Sequence, residues 1–314
     1  MTAAIPAQQL KQCWFLAGPT AGGKSAAALH LAGLIDGEIL SMDSMAVYRG
    51  MDIGTAKASA DERAVVPHHL LDLVNPAEAF SVTDFLSHAS EAVDDVLRRG
   101  KTPLFVGGTG LYLRSLLRGV FQGPEADWNL RTKLQQQIAD NGPEWAHRRL
   151  AEIDPASAKR LHPNDTRRII RAIEVFDVSG VPLSQQQVQQ ALPPEAHGPV
   201  VWIDPPREWL HDRINRRVDQ MMQQGLLSET RTLLQSAPPP SRTARQALGY
   251  RELIQHLEDG VPLEQAVEQI KVGTRQFAKR QCTWFRNLAE CRSCPISGNE
   301  NAQQVAEQIF RQFG

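Results

Sequence analysis

Four short, mainly apolar runs predict the strands of this chain. They are residues 13–17 (CWFLA), 38–42 (EILSM), 103–106 (PLFV) and 200–203 (VVWI). The first run stops at Gly18, the second at Asp43 and the third at Gly107. Short apolar runs bounded by turn residues are typical of buried strands.

Helical patterns alternate with these runs. Residues 26–34 are helix formers, and residues 81–99 repeat apolar side chains at helical spacing. Ser81 can cap this second helix with Asp84 at its third position, and Gly100 is expected to end it. Strands that alternate with helices predict an α/β fold, with a parallel sheet flanked by helices on both faces.

The pattern changes after Gly119. Residues 125–180 contain helical patterns and no strand-like run, and residues 184–199 are rich in Gln and Pro. From residue 208 the chain is again predicted to be helical, apart from a loop at residues 236–240. At about 150 residues per domain, the 314 residues allow two domains. We therefore predict a discontinuous catalytic core, residues 12–119 and 197–314, and an all-helical insertion domain, residues 120–196.

The first predicted strand runs into a glycine-rich loop that matches G-x-x-x-x-G-K-[ST]. In this pattern backbone amides turn toward a phosphate, the lysine reaches the terminal phosphoryl oxygens and the serine can hold Mg²⁺. A helix that begins at the lysine also points its positive end at the anion. The loop predicts a di- or triphosphate site in a P-loop NTPase-like core, formed by Gly18, Pro19, Thr20, Ala21, Gly22, Gly23, Lys24 and Ser25, with Ser25 as the metal ligand.

Asp43 and Thr109 follow the second and third predicted strands. Because ligands of doubly wound sheets lie at the carboxyl ends of strands, both side chains are expected to meet the phosphate loop in one crevice. An acid and a hydroxyl beside a diphosphate suit a reaction in which a nucleophile loses a proton. The alternatives are a turn or helix cap for Asp43 and a plain glycine turn at Thr109. His68 and His69 are interpreted as packing or capping residues.

Composition narrows the class of protein. Lys and Arg number 34 and Asp and Glu 35, so the net charge of −1 weighs against a protein coated with basic charge. Cys291 and Cys294 lack a second metal-binding motif nearby, which favours reduced thiols over a zinc site. No apolar run reaches about 18 residues, and the N-terminus lacks the pattern of a signal peptide, so we expect a cytoplasmic protein.

Longer motifs resemble those of the tRNA dimethylallyltransferase (tRNA isopentenyltransferase) family of bacterial type. Besides the P-loop, residues 43–57 (DSMAVYRGMDIGTAK) form by far the most specific match. The others are residues 107–112 (GGTGLY), 162–165 (HPND) with Arg167 and Arg168, 247–251 (ALGYR) and 274–281 (TRQFAKRQ). They occur in the family's order, so the resemblance covers nearly the whole chain.

The resemblance implies transfer of a dimethylallyl group from dimethylallyl diphosphate to N6 of the adenosine just 3′ of the tRNA anticodon. Diphosphate leaves, Mg²⁺ assists, and the P-loop holds the prenyl diphosphate. Asp43 matches the family's general base, and Thr109 matches a threonine near the reacting groups. Arg217 is the best match for an arginine that binds diphosphate, with Arg216 as a near competitor.

The resemblance also implies an RNA surface. At about 100° per residue, the basic residues of segment 271–286 (Arg275, Lys279 and Arg286) fall on one helix face, opposite Phe277, Trp284 and Leu288. The alternative is an ordinary solvated helix face. The family often has Gln in place of Ala46, which argues against a side-chain contact there and leaves a backbone contact. We predict tRNA contacts from Asp43, Ser44, Met45, Ala46, Arg167, Arg168, Arg245, Gln246, Gly249, Tyr250, Arg251, Arg275, Lys279, Arg280 and Arg286, with Tyr250 stacking on a base of the loop.

Two other functions stay open on the sequence. The P-loop alone favours a small-molecule or nucleoside kinase, which predicts an acidic residue after the third strand, where Gly107 and Gly108 stand. The other is an RNA-binding ATPase without covalent chemistry. On the first interpretation the partners are the anticodon stem-loop of tRNA and dimethylallyl diphosphate, the protein is monomeric, and no membrane is bound.

Overall fold

A computed structural model describes residues 5–121, 123–187 and 191–314. Within them one sheet has the strand order β3-β2-β4-β1-β5-β6, and all neighbours are parallel. Parallel pairing brings the carboxyl ends of β1, β2 and β4 to one edge, so the predicted parallel sheet is confirmed. The strands are β1 (Trp14–Ala17), β2 (Gly37–Met42), β3 (His68–His69), β4 (Thr102–Gly107), β5 (Val200–Asp204) and β6 (Arg292–Pro295).

Helices connect and cover these strands. Those before residue 119 are α1 (Ala7–Leu10), α2 (Lys24–Leu34), α3 (Ala60–Val65), α4 (Val82–Arg98) and α5 (Gly110–Arg118). Next come α6 (Trp128–Asn141), α7 (Pro143–Ile153), α8 (Pro155–Arg160), α9 (Thr166–Ser179) and α10 (Leu183–Gln186). After a 3₁₀ turn at Pro194–Ala196 follow α11 (Arg207–Gln223), α12 (Leu226–Leu234), α13 (Arg242–Arg245), α14 (Tyr250–Asp259), α15 (Leu263–Asn287) and α16 (Ala302–Phe313).

The predicted cap of α4 is present. The hydroxyl of Ser81 accepts from the amide of Asp84, and the carboxylate of Asp84 accepts from the amide of Ser81 at 2.8 Å. This capping box satisfies amides that have no partner inside the helix. The helix ends at Arg98 with Arg99 as its C-cap, and Gly100 follows with a φ of 71°, which suits a residue without a side chain. The predicted helix over residues 81–99 is therefore confirmed.

The chain divides into two compact units, Met1–Arg118 with Ala191–Gly314, and Gly119–Gln190. Between residues 123 and 187 helices are the only regular secondary structure, and they enclose a core that includes Leu150, Ile169 and Ile173. Leu192 lies in the same unit as Glu290, and its amide donates to the Glu290 carboxylate at 3.0 Å. Residues 122 and 188–190 of the predicted insertion lie outside the described residues.

A packed layer supports the helix that begins at the P-loop. Ala28 and Leu31 of α2 share one core cluster with Ala306 and Ile309 of α16 and with apolar side chains of the sheet, Leu16 among them. This burial fixes α2 beneath the sheet, so its first residue has a defined place at the end of β1.

Two strands were not predicted. β6 buries Cys294 and exposes its other three residues, so the prediction that the chain is helical after residue 208, apart from one loop, is wrong there. β3 is the other edge of the sheet and consists of His68 and His69. The Nε2 atom of His69 lies 2.6 Å from a carboxylate oxygen of Glu38, which agrees with the packing interpretation.

Candidate active site

The loop between β1 and α2 is shaped to receive an anion. Gly23 has a φ of 89°, and α2 begins at the next residue, Lys24. A Cβ atom at Gly22 would lie 2.9 Å from the carbonyl oxygen of Pro19, so the turn requires glycine there. The first amides of a helix have no partner within it, so this end of α2 favours a phosphate group.

The side chain of Lys24 folds back over this loop. Its Nζ atom donates to the carbonyl of Pro19 at 2.7 Å. Burial of the ammonium group, together with the positive charge of Arg217, lowers the pKa of Lys24 to about 7, although the carboxylate of Asp43 acts in the opposite direction. Lys24, Arg217 and Asp43 are therefore close enough to interact electrostatically, which unites the P-loop with the end of β2.

Asp43 and Thr109 meet at the ends of β2 and β4. The Thr109 hydroxyl accepts from the amide of Ser44 at 3.2 Å, and the Thr109 amide donates to the carbonyl of Met42. The Oδ1 atom of Asp43 accepts from the amides of Met45 at 2.8 Å and Ala46 at 3.2 Å. The turn-cap role is therefore present, while no described residue donates a hydrogen bond to Oδ2. One oxygen can hold the turn and the other can accept a proton.

Arg216 and Arg217 are neighbours in α11 and lie in different surroundings. Burial lowers the pKa of Arg217, Asp43 opposes this shift, and the positive charge of Arg213 adds to it. Arg216 is exposed and forms an ion pair with Asp212 at 2.7 Å, one helical turn away. The geometry thus favours Arg217 over Arg216 as the cation beside the P-loop.

Two residues that hold the P-loop were not predicted as site residues. Gln281, buried in α15, accepts from the amide of Thr20 at 2.9 Å and donates to the carbonyl of Gly108 at 2.8 Å. Arg213 donates to the carbonyl of Ala21 at 2.9 Å. The signal for Gln281 was its spacing from Ala278 and Phe285, which places it on the buried face of a helix.

The residues that follow Asp43 differ in what they can offer a partner. Ser44 and Met45 are partly exposed, whereas the side chain of Ala46 is buried. The amide of Ala46 bonds to Asp43, and its carbonyl accepts from the amide of Asp72 at 3.2 Å. The amide of Ala46 is therefore occupied, whereas its carbonyl oxygen has a second lone pair, so the predicted backbone contact to RNA stays a prediction.

The basic residues of α15 have different environments. Lys279, Arg280 and Arg286 are exposed, but Arg275 is partly buried and bonds to Asn215 at 2.5 Å. Phe277, on the predicted opposite face, is 37% exposed. The residues that pack are Ala278, Gln281 and Phe285, and the guanidinium of Arg280 lies 5.8 Å from the centre of the Phe277 ring.

Tyr250 does not have the predicted environment. Its ring has no exposed surface, and its hydroxyl donates to Glu229 at 2.6 Å. The prediction that this ring stacks on an RNA base is wrong, because the core encloses it on all sides. Gly249 is also buried, whereas Gln246 is exposed. Arg245 and Arg251 each form an ion pair with a glutamate, Glu258 and Glu252 respectively.

In the helical unit, Arg167 and Arg168 lie exposed in the first turn of α9, and Arg168 pairs with Asp165 at 3.3 Å. Arg171, one turn further along α9, bonds to the buried Glu174 at 2.5 Å, and Glu174 also accepts from Arg131. Two cations and one carboxylate form a structural ion network there. Of the three arginines in α9, Arg167 and Arg168 are the exposed ones.

The described residues contain no group of three or more His, Cys, Asp or Glu side chains arranged to hold a metal ion. Ser25 is exposed at the start of α2. None of the described helices is long and apolar enough to cross a membrane.

Comparisons of sequence give consistent matches. A family model described as IPP transferase matches residues 46–288. A tRNA dimethylallyltransferase of Geobacter metallireducens is 50% identical over 274 residues, which are 87% of this chain and 89% of that protein. A tRNA dimethylallyltransferase of Symbiobacterium thermophilum is 46% identical over 297 residues, with 94% and 93% covered.

Solved structures agree with these matches. The full-length tRNA isopentenylpyrophosphate transferase of Bacillus halodurans has a TM-score of 0.70 at 38% identity, over 96% of each chain. A eukaryotic dimethylallyltransferase acting on tRNA has a TM-score of 0.75 at 28% identity, over 96% of this chain and 79% of that one. Such proteins have a P-loop NTPase-like fold, so the predicted fold class is confirmed. The family model and these relatives span most of the chain, and together they show that it belongs to the IPP transferase family.

Proposed function

We propose that this protein transfers a dimethylallyl group from dimethylallyl diphosphate to N6 of the adenosine adjacent to the anticodon in tRNA. In this reaction the C1–O bond of the prenyl diphosphate breaks and a C1–N6 bond forms. The N6 amine loses one proton to Asp43, and diphosphate leaves with the electron pair of the broken bond. The relatives described above are dimethylallyltransferases of tRNA, which supports both the reaction and the substrate.

One observation carries the proposal. Lys24 and Arg217 provide positive charge around the P-loop, and the carboxylate of Asp43 is close enough to change the pKa of both. Two charges develop in the reaction, a negative one on the leaving diphosphate and a positive one on the adenine nitrogen. The cations suit the first charge and the carboxylate suits the second, which is the arrangement that lowers the barrier.

The acidic residue that the kinase alternative predicts after the third predicted strand is not present there. A P-loop kinase uses an acidic residue after an apolar strand to hold the metal, but β4 leads into Gly108 and Thr109. Thr109 instead bonds to the segment that carries Asp43. This favours alkyl transfer to an amine over phosphoryl transfer from ATP.

Mg²⁺ fits this site as a partner of the diphosphate. Mg²⁺ is commonly held by one or two protein oxygens together with phosphates and water, so a cluster of carboxylates is not needed. Ser25 would hold the ion, because its exposed hydroxyl lies at the start of α2. Asp43 adds a carboxylate in the same crevice. When bound, the ion neutralises charge on the diphosphate.

The tRNA is expected to approach with its anticodon stem-loop. The target adenine lies within a stacked loop, so the enzyme must take it out of the stack before N6 can be reached. We propose that Lys279, Arg280 and Arg286 of α15 and Arg167 and Arg168 of α9 contact RNA phosphates, because these side chains are exposed. We further propose that the protein acts as a monomer, binds no membrane and works in the cytoplasm, where its substrate is found.

One assay tests the proposal. The protein is incubated with an anticodon stem-loop RNA, dimethylallyl diphosphate and Mg²⁺, without ATP, and the RNA is weighed by mass spectrometry. We expect the added mass of one dimethylallyl group. A stem-loop with guanosine at the target position has no N6 amine and should gain nothing. A folded protein that leaves the adenosine RNA unchanged, or that requires ATP, would overturn the proposal.

A further inference from the structure

Glu229 in α12 accepts hydrogen bonds from three consecutive backbone amides of the segment that follows β2. Its Oε2 atom accepts from the amides of Asp52 at 3.0 Å and Ile53 at 2.8 Å, and its Oε1 atom accepts from the amide of Gly54 at 3.2 Å. Successive amides that converge in this way form a concave anion site. In this protein a side chain from another part of the chain provides the anion.

Tyr250 completes this arrangement. Its hydroxyl donates to Oε1 of Glu229 at 2.6 Å, so the carboxylate accepts four hydrogen bonds, about as many as its lone pairs allow. Burial raises the pKa of Tyr250, and the bond to Glu229 raises it further, which keeps the phenol a donor. A Cβ atom on Gly54 would lie 2.4 Å from the Tyr250 ring, so the backbone rests directly on this ring.

The segment held by Glu229 is also closed on itself. The Nζ atom of Lys57 donates to the carbonyl of Tyr48 at 2.8 Å and to the carboxylates of Asp52 at 2.5 Å and Asp72 at 2.7 Å. The Lys57 side chain keeps only 2% of its surface exposed, although the Asp52 carboxylate that it bonds is 60% exposed. Loosening one end of such a closed segment is expected to shift the rest of it.

Asp43 stands at the other end of this segment. Its Oδ1 atom caps the turn at Met45 and Ala46, and Val47 then bonds through its carbonyl to the amide of Val74 at 3.1 Å. Residues 43–57 are thus held by hydrogen bonds near both ends, at Asp43 and at Lys57, and Val47 between them bonds to Val74. Glu229 joins this segment to α12 and, through Tyr250, to α14.

We propose that Glu229 is a positioning residue for the transfer reaction, acting through residues 52–54 and Tyr250 on the segment that carries Asp43. The inference rests on the proposed function, because it takes Asp43 as the group that receives the proton. Glu229 itself bonds to no P-loop residue. Its loss should therefore weaken the transfer step and RNA binding while diphosphate binding persists.

The test compares two variants that remove different hydrogen bonds of Glu229. Glu229→Gln replaces one acceptor oxygen with an NH₂ group, so at least one backbone amide loses its partner, whereas Tyr250→Phe removes one donor and keeps the ring. A displacement of about 1 Å can lower a rate by about 100-fold. We expect kcat to fall by about this factor in Glu229→Gln and less in Tyr250→Phe, with the Kd of dimethylallyl diphosphate unchanged in both.

Glu290→Gln is the matched control. Glu290 is a buried carboxylate of the same compact unit, whereas Glu229 is partly buried, and Glu290 accepts from Arg118 at 2.8 and 2.7 Å and from the amide of Leu192 at 3.0 Å. This variant should lose comparable thermal stability and keep kcat. If both variants lose stability and kcat together, Glu229 has only a structural role and the proposal is overturned.

Two further outcomes keep the inference separate from the proposed function. A folded Glu229→Gln protein with wild-type kcat would overturn the inference and leave the proposed function intact. If wild-type protein transfers no prenyl group, the proposed function fails. Amide hydrogen exchange still tests whether Glu229 holds residues 52–54. If residues 52–54 exchange faster in Glu229→Gln than in Glu290→Gln, Glu229 holds their amides in place. Equal exchange in the two variants excludes this role.

Discussion

Asp43 combines two tasks that a single substitution can separate. Its Oδ1 atom caps the turn at Met45 and Ala46, and its Oδ2 atom has no donor among the described residues. An asparagine can keep the cap, since its amide oxygen also accepts the two backbone bonds. It cannot take up a proton from adenine, so structure and chemistry respond differently to this change.

We therefore expect Asp43→Asn to fold normally and to lose turnover by about 10²–10⁴-fold, the usual contribution of a general base. The affinities for tRNA and for dimethylallyl diphosphate should remain close to wild type. Single-turnover transfer to labelled stem-loop RNA, with binding measured separately, checks this prediction. Near-normal turnover in Asp43→Asn would leave the aspartate with the turn-cap role alone.

Arg217 and Arg216 form a natural pair of test and control on one helix. Arg217→Ala should weaken the binding of dimethylallyl diphosphate by about 10- to 100-fold, because a hydrogen bond to a charged group contributes about 1.5–3 kcal/mol. Arg216→Ala removes only an exposed ion pair with Asp212 and should bind like wild type. Calorimetry measures the affinity of both variants for dimethylallyl diphosphate. If Arg216→Ala binds more weakly than Arg217→Ala, Arg216 is the diphosphate ligand.

Lys24 makes diphosphate binding depend on pH. Its pKa of about 7 in the free protein means that the ammonium loses its charge as the pH rises through 7, and a bound anion raises this pKa. Affinity is therefore greatest below pH 7 and decreases above it, by up to about tenfold per pH unit until the pKa of the complex is reached.

Calorimetry of dimethylallyl diphosphate between about pH 6.5 and 8.5 measures this slope. A phosphate monoester completes its ionisation near pH 6, so the ligand adds little to it. Lys24→Arg stays charged over the whole range and should show a flat profile, if weaker binding. A wild-type affinity that is constant over this range would contradict the lowered pKa.

At the residue scale, the sequence identified the groups that motifs mark directly, and the structure brings Lys24, Asp43 and Thr109 together. It did not show which side of a helix faces the core. Tyr250 lies in a matching motif and is buried, and Gln281 lies in another and holds the P-loop. Both orientations depend on packing against distant segments, which a local pattern does not contain.

Among the elements, the strands that were predicted are those with apolar side chains on both faces. β1, β2, β4 and β5 bury most of their residues. The edge strands β3 and β6 pair on one side only and are short, so neither needs an apolar run. Their existence follows from the backbone of their neighbours, which the sequence of the edge strand itself does not reveal.

Helix α15 links the P-loop to the exposed basic residues. Gln281 points inward and bonds to Thr20 and Gly108, while Lys279 and Arg280 on the adjacent positions are exposed. One helix thus contacts the phosphate loop on one face and offers cations on the other. A change to its inward face should affect stability and diphosphate binding together.

Gln281→Leu tests this element. Leucine leaves the Thr20 amide and the Gly108 carbonyl without partners, and each buried unsatisfied group costs about 1–3 kcal/mol. We expect a lower melting temperature and weaker binding of dimethylallyl diphosphate, measured by thermal denaturation and calorimetry. Gln276→Leu changes an exposed residue of the same helix and serves as control. Equal stability of the two variants would show that the bridge is dispensable.

For the whole molecule, the net charge of −1 conceals an uneven distribution. Exposed cations lie on α15 and at the start of α9. The average charge of a chain is thus a poor guide to nucleic-acid binding, because it does not show where the exposed cations lie.

Binding to the anticodon stem-loop should therefore weaken steeply with salt. The logarithm of the affinity is expected to fall with that of the salt concentration, by about 0.7 to 0.9 per phosphate contacted. Lys279→Ala should reduce this slope by about one contact, and Arg311→Ala, at an exposed position of α16, should not. Fluorescence anisotropy over a range of KCl concentrations checks this, and a flat profile would argue against phosphate contacts.

The position of β1 at the centre of the sheet has a consequence for synthesis on the ribosome. β1 pairs with β4 on one side and with β5 on the other, and β5 emerges only after the whole helical unit has been made. Gln281, which fastens the P-loop, emerges later still. The nascent chain therefore carries the complete P-loop sequence long before that loop has its final supports, and the phosphate site matures only near the end of translation.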